Sequence, residues 1–202
     1  MEASARVVSP ISPRRSSPYF SLANAVTAIR FLLIVPFATL MASGEKRTAA
    51  VALLVYVVAL ASDFADGPLA RRNGTVSAIG GTFDHTTDFL FVTSAMFAGA
   101  ARGAFPWILP SLIVVAFVQY FVDSYCVARR GSLRRSKLGR YNGILYFVPP
   151  CVEIMIRLGA KALQPLLTVL VWTLVASTVI SIGQRLFFSL AAKELPSSPP
   201  QK

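Results

Sequence analysis

The sequence predicts an all-α integral membrane protein, a bundle of six transmembrane helices with a polar cavity that opens to the cytosol. Three observations predict this class. Hydrophobic residues make up 54% of the 202 residues and charged residues only 14%, whereas a water-soluble domain carries about 25% charged residues. Six apolar stretches approach the roughly 20 residues that a helix needs to cross a bilayer. Most of the polar residues within these stretches fall at one depth.

The six stretches follow one another with short connections, so neighbouring helices are expected to be antiparallel. They run near Leu22–Ala42, Thr48–Phe64, Gly81–Ala101, Phe105–Val127, Leu138–Leu158 and Leu163–Leu190. Pro149 and Pro150 lie inside the fifth stretch, and we expect a kink there because proline lacks the N–H that an internal helical turn requires. Residues 1–20 lack the apolar core of a signal peptide. We expect residues 1–20 and 191–202 to be flexible cytosolic tails around a domain of residues 21–190.

Lysine and arginine are unequally divided between the two sides of the predicted bundle, and this division sets its orientation. With both termini inside, the inner side carries Arg6, Arg14, Arg15, Arg71, Arg72, Arg129, Arg130, Arg134, Arg135, Lys137, Arg140, Lys193 and Lys202. The outer side carries Lys46, Arg47, Arg102, Arg157 and Lys161. We therefore expect a multi-pass protein of a bacterial-type inner membrane with both termini in the cytosol. The net charge of +11 lies beside apolar runs, which favours anionic lipid and phosphate over nucleic acid as partners.

In this orientation, polar side chains of different helices share the cytosolic third of the membrane. The second helix descends and ends near Asp63 and Asp66, whereas the third ascends from Asp84 and Asp88. The other members of this layer are Asn24, Thr27, Arg30, Asp123, Lys137, Arg140 and Arg185. A single layer indicates a cavity open to one side, since an ion pathway would place charges across the full thickness.

Four aspartates are the most informative members of this layer. Asp63 and Asp66 are three residues apart, and Asp84 and Asp88 are four apart. At these spacings each pair faces one way on a helix. Two opposed pairs would surround hard divalent cations, and Mg²⁺ prefers oxygen ligands and commonly shares its shell with substrate phosphates. Because intramembrane carboxylates are costly and usually functional, we expect a metal site that handles phosphate.

The same residues belong to a longer motif, Asp63-x2-Asp66-Gly67-x2-Ala70-Arg71-x8-Gly80-x3-Asp84-x3-Asp88. The glycines leave room for a bulky ligand near the backbone, and Arg71 is placed to pair with phosphate oxygens. At all eight fixed positions the motif resembles the signature of the CDP-alcohol phosphotransferases. The pattern Asn24-x2-Thr27-x2-Arg30 is similar to the first span of the same family.

The resemblance implies an enzyme in which an alcohol attacks a phosphorus of a CDP-linked substrate and CMP leaves. It implies two Mg²⁺ or Mn²⁺ ions held by Asp63, Asp66 and Asp84, with Asp88 also at the metal site and acting as the catalytic base. It implies a CDP-binding site shaped by Gly67, Ala70, Arg71 and Gly80. It also implies a homodimer, whose interface the sequence does not define.

The layout of about six spans favours a lipid donor, so we expect transfer of a phosphatidyl group from CDP-diacylglycerol to a small polar alcohol. Glycerol 3-phosphate and inositol-type acceptors are the leading candidates. A phosphorylated acceptor needs cationic partners, and Arg140 and Arg185 are the candidates beside or within a span. The segment SKLGRYNGILYF resembles the fifth span of the phosphatidylglycerophosphate synthase subfamily. However, His85 and Phe89 stand where that subfamily usually has Pro and Lys.

Two other classes of function compete with this interpretation. An ion-coupled transporter also uses buried carboxylates, but it typically shows repeated halves and broken helices, and neither is clear in this sequence. A non-catalytic metal-binding membrane protein would bind Mn²⁺ without releasing CMP.

Overall fold

The computed structural model describes residues 22–73, 78–127 and 137–194, with side chains described for 28–62, 82–123 and 138–187. In these ranges the chain is helical and contains no strand. The helices are α1 (Leu22–Ser43), α2 (Lys46–Asn73), α3 (Ala78–Ala101), α4 (Ile108–Val127), α5 (Lys137–Leu145), α6 (Val148–Leu158) and α7 (Gln164–Glu194), with a 3-10 turn at Lys161–Leu163. The six predicted stretches are thus mostly helical where they are described, although α4 begins at Ile108 and not at the predicted Phe105, and the fifth stretch is interrupted at 146–147. The predicted tails lie largely outside the described residues.

The most extensive helix contacts in the described ranges are those of α1 with α3 and with α2. Helix α2 turns the small residues Ala49, Ala52 and Ala59 inward, each at most 3% exposed, and their spacing places them on one face of the helix. Small side chains let helices approach closely. Phe37 of α1 fills the space between, stacked on Phe91 of α3 with ring centroids 4.5 Å apart.

Helix directions alternate along the chain when α5 and α6 are taken as two halves of one span, and side-chain contacts give the relative directions of four helix pairs. Contacts between α1 and α3 advance together along both helices, so these two helices are parallel. Contacts between α3 and α4 run in opposite senses, as do those between α2 and α6 and between α5 and α7, so these pairs are antiparallel. For α1 and α3 the contacts are Phe31–Phe83 and Phe37–Phe91, and for α3 and α4 they are Phe89–Phe117 and Phe97–Trp107. For α2 and α6 they are Thr48–Arg157 and Tyr56–Phe147, and for α5 and α7 they are Gly139–Arg185 and Tyr146–Thr178.

The fifth predicted stretch is two helices, which confirms the expected effect of its prolines. Helix α5 ends at Leu145 and α6 begins at Val148, with Pro149 and Pro150 in the first turn of α6. Proline is tolerated in a first turn because its missing N–H would have no partner inside the helix. The carbonyl oxygen of Phe147, at the break, accepts a 2.7 Å hydrogen bond from the Tyr56 hydroxyl.

Two helices extend beyond their predicted ends. Helix α2 continues from Phe64 to Asn73, and α7 continues from Leu190 to Glu194 into the predicted tail. The apolar pattern marks the part of a helix that an apolar environment covers, whereas the backbone hydrogen bonds continue through polar residues. As a result, Asp63, Asp66 and Arg71 all lie on the single helix α2.

The outer surface of the bundle is strongly apolar. In the described ranges, Leu32, Val35, Leu54 and Val169 are each at least 64% exposed. The helical stretch Lys161–Phe187 is long and apolar enough to cross a membrane, and two more apolar stretches, Ala28–Ser43 and Ile108–Asp123, are shorter. A soluble monomer rarely exposes large contiguous apolar surfaces.

A buried ionic cluster, which we call the far-end cluster, links helices at the end of the bundle that lies opposite the four aspartates. Its members are Arg102 at the end of α3 and Glu153 and Arg157 on α6. Arg102 donates to Glu153 and to the Met41 carbonyl, and Arg157 lies 3.9 Å from Glu153. Arg157 also bonds the Glu45 carbonyl in the α1–α2 connection. Glu153 and Arg157 are four residues apart, so their side chains meet on one face of α6, and Arg102 is an additional partner of Glu153.

Candidate active site

Two predicted site residues, Asp84 and Asp88, converge on one nitrogen atom of Arg30. Nη1 of Arg30 lies 3.0 Å from Oδ1 of Asp84 and 2.5 Å from Oδ1 of Asp88. The Arg30 side chain is 1% exposed, whereas the two carboxylates are 31% and 21% exposed. The site therefore combines one buried positive charge with two negative charges that reach the surface.

Helix geometry and aromatic packing place these three side chains. Asp84 and Asp88 are one turn apart on α3, so both project toward α1. Two contacts fix the register of α1 against α3: the Phe31 and Phe83 rings, with centroids 6.4 Å apart, and the Phe37–Phe91 stack farther along the helices. Arg30 is thereby held level with the aspartates. A buried charge without an opposite charge is strongly unfavourable, so this pairing also stabilises the packing of α1.

The rest of the motif is placed by backbone only. Asp63, Asp66, Gly67, Ala70 and Arg71 lie on α2, and Gly80 lies on α3, but their side chains are outside the described residues. Among the side chains that are described, no group of three or more His, Cys, Asp or Glu residues is arranged to hold a metal ion. The predicted gathering of all four aspartates therefore stays a prediction.

The arrangement of Asp84 and Asp88 nevertheless fits a cation. Their carboxylates already meet at a single positively charged atom, and carboxylate oxygens are the donors that Mg²⁺ prefers. Each carboxylate has several lone-pair positions, so accepting a bond from Arg30 does not exhaust its capacity as a ligand.

The two predicted acceptor-binding arginines differ in their surroundings. Arg185 of α7 is partly buried, and its guanidinium carbon lies 5.5 Å from the centre of the Tyr120 ring of α4. It also lies against Gly139 of α5, where an added Cβ would be 2.6 Å from Nη2 of Arg185. Arg140, the next residue of α5, is exposed. The glycine thus gives the Arg185 guanidinium the space that it occupies.

A row of buried polar side chains continues from this region between α5 and α7. Ser177 donates to Oδ1 of Asn142 at 3.0 Å, and the hydroxyls of Tyr146 and Thr178 are 2.7 Å apart. Asn142 and Thr178 are at most 2% exposed. These bonds fix α5 against α7 and thereby fix the position of Gly139 beneath Arg185.

Sequence analysis assigned no site role to Arg30 or Gly139. Arg30 belongs to the first-span pattern and to the polar layer, but a sequence does not show which acidic residues a buried arginine reaches. The sequence feature that indicates a role for Arg30 is its position within an apolar span, since a buried charge requires a partner of opposite charge. Gly139 gave no specific signal, because its role depends on the close approach of α7.

Comparison with known proteins agrees with the motif. The family model described as CDP-alcohol phosphatidyltransferase matches residues 20–189. Two curated relatives, from the CDC 1551 and H37Rv strains of Mycobacterium tuberculosis, are each named "Probable phosphatidylglycerophosphate synthase" and are 30% identical to this chain over 123 residues. The match covers 59% of this chain and 59% of each relative. Since the family model matches most of the chain, this protein belongs to the CDP-alcohol phosphatidyltransferase family.

Proposed function

We propose that this protein transfers the phosphatidyl group of CDP-diacylglycerol to a small alcohol and releases CMP. The observation that carries the proposal is the complete aspartate motif in a chain of this family. Its last two carboxylates, Asp84 and Asp88, meet at the buried Arg30 and are themselves partly exposed. Family membership supports phospholipid synthesis as the general role, and the lipid donor is our inference from the six helical stretches.

The reaction requires positioning and charge neutralisation more than covalent participation by the protein. Two divalent ions, Mg²⁺ or Mn²⁺, would be held by Asp63, Asp66, Asp84 and Asp88, and when bound they would neutralise the pyrophosphate and the leaving CMP. Asp88 accepts the proton of the acceptor hydroxyl while the hydroxyl oxygen forms a bond to the phosphorus that carries the diacylglycerol. The bond from that phosphorus to the CMP oxygen breaks. Gly67, Ala70, Arg71 and Gly80 accommodate the nucleotide.

Among possible acceptors, we propose glycerol 3-phosphate first and an inositol-type alcohol second. The two mycobacterial relatives are named for phosphatidylglycerophosphate synthesis, which favours glycerol 3-phosphate. The partly buried Arg185 and the exposed Arg140, adjacent to Gly139, supply positive charge for the acceptor's phosphate. His85 and Phe89 depart from the usual pattern of that subfamily, which is why the inositol-type acceptor stays a second candidate.

The proposed setting is a multi-pass arrangement in a bacterial-type inner membrane, as a homodimer, with the site facing the cytosol. The apolar outer surface and the alternating helix directions support this setting. A helix of 28 residues, such as α2, is about 42 Å long, which exceeds the roughly 30 Å hydrocarbon core. If α2 starts at the outer interface, Asp63 lies about 26 Å along it. This depth corresponds to the inner boundary of the core.

The test is CMP release by the purified full-length protein in lipid nanodiscs. Labelled CDP-diacylglycerol and Mn²⁺ are supplied with glycerol 3-phosphate, inositol phosphate, inositol or serine, one at a time. We expect CMP and the corresponding phospholipid with one acceptor. Mn²⁺ binding without CMP release from any acceptor would instead support a non-catalytic metal-binding protein. Ion-driven solute uptake in sealed vesicles, again without CMP release, would support a transporter.

A further inference from the structure

We propose that Arg30 is a built-in competitor of the divalent cation at the α3 aspartates. In the metal-free protein it offsets part of the negative charge of Asp84 and Asp88, and its positive charge lowers their affinity for the metal. This inference rests on the metal site of the proposed function, but it concerns a residue outside the aspartate motif.

The geometry that supports this role is the sharing of one nitrogen. Both carboxylates are within 3.0 Å of Nη1 of Arg30, so the guanidinium lies at the point where they converge. A divalent cation needs carboxylate oxygens at about 2.1 to 2.6 Å. A metal ion held by these two carboxylates would therefore lie beside the positive charge of Arg30, which opposes its binding. The α1–α3 packing keeps Arg30 close to the site even when its bonds to Asp84 and Asp88 weaken.

Removing Arg30 has two opposing effects on metal affinity. Loss of its bonds leaves two aspartate side chains less ordered, which weakens binding. Loss of its charge removes competition and repulsion, which strengthens binding. Aspartate is short, so ordering two such side chains is a small effect. The repulsion between the single charge of Arg30 and a divalent cation about 5 Å away is a larger effect than this loss of order, even at an effective dielectric constant of about 20. We therefore expect tighter metal binding.

The experiment measures Mn²⁺ affinity of the purified full-length protein in detergent, without nucleotide, from the electron paramagnetic resonance signal of free Mn²⁺. We expect Arg30→Met and Arg30→Gln to bind Mn²⁺ at least tenfold more tightly than wild type. We also expect both variants to melt at a lower temperature in EDTA and to regain much of the loss in Mn²⁺, because the metal replaces the missing positive charge. Gln retains neutral hydrogen-bond donors and perturbs the packing less than Met.

Arg102→Gln is the matched control. It also removes a paired arginine that contacts a carboxylate, but at the opposite end of α3, so its Mn²⁺ affinity should equal that of wild type. An equal gain in Arg102→Gln would overturn the inference, because it would reflect net charge alone.

The remaining outcomes separate this inference from the proposed function. Unchanged or weaker Mn²⁺ binding in both Arg30 variants, with binding in wild type, would overturn the role of Arg30 and leave the metal site intact. Failure of both variants to fold in saturating Mn²⁺ would also overturn it, since the metal should then compensate. Absence of Mn²⁺ binding in wild type would overturn the metal site and the competitor role together.

Discussion

Gly139 lies against the guanidinium of Arg185, and adding one methyl group there tests the proposed acceptor site. A Cβ at this position would be 2.6 Å from Nη2 of Arg185, whereas ordinary contacts lie at 3.4–4 Å. In Gly139→Ala the guanidinium must therefore move by about 1 Å, enough to break a hydrogen bond. A hydrogen bond to a charged group contributes about 1.5–3 kcal/mol, which corresponds to roughly a 10- to 100-fold change in affinity.

We expect the KM for a phosphorylated acceptor to rise by about 10- to 100-fold in Gly139→Ala, with the KM for CDP-diacylglycerol unchanged. Steady-state CMP release at varied acceptor concentration measures this. Gly143→Ala is the matched control, one turn along the same helix, where an added Cβ meets nothing within 4 Å. It should keep the wild-type KM and gain up to about 1 kcal/mol of stability. Equal acceptor KM values in the two variants would refute the assignment of Arg185 to the acceptor phosphate.

Three further changes test the site and the packing. Asp88→Asn should lower kcat by about 10²- to 10⁴-fold, because the proton acceptor is lost. Binding of CDP-diacylglycerol, measured by calorimetry, should persist. Near-normal turnover would show that Asp88 is not the base. Glu153→Gln should destabilise the protein by about 3 kcal/mol, because Arg102 and Arg157 lose their buried counter-charge. Thermal unfolding in nanodiscs measures this loss. An unchanged melting temperature would show that the far-end cluster contributes little to stability. Phe37→Ala, at a fully buried position, should cost about 3–5 kcal/mol in the same assay, and a loss below 1 kcal/mol would contradict the described stack.

The helices could be predicted from the sequence because apolar content over about 20 residues is a strong signal, and the break before α6 because proline acts locally. The ends of α2 and α7 could not be predicted in this way. Their last turns are polar, and apolar content does not report where backbone hydrogen bonding stops. In α7 the extension contains Ala, Lys and Glu, which are good helix formers.

The site was predictable to the extent that it depends on spacing along one helix. Asp84 and Asp88 share a face of α3 because they are four residues apart, and this holds in any fold. The partners across helices were not predictable, because they depend on rotation and register between elements distant in sequence. Arg30 and Asp84 are separated by 54 positions, and their contact follows from aromatic packing that one sequence does not specify.

The far-end cluster has a mechanical consequence for the opposite end of the molecule. Bonds from Arg102 and Arg157 tie the start of α2 and the ends of α1, α3 and α6 together, so a relative tilt of these helices would pivot at this end. Helix α1, at 22 residues, is roughly 33 Å long, so a tilt of about 5° about this pivot moves its free end by roughly 3 Å. Arg30 lies 13 residues before the end of α1, about 20 Å from this pivot, so the same tilt would move it by roughly 2 Å. Small angular changes at the far-end cluster would therefore be amplified toward Arg30, Asp84 and Asp88, where a bulky lipid nucleotide needs room to enter.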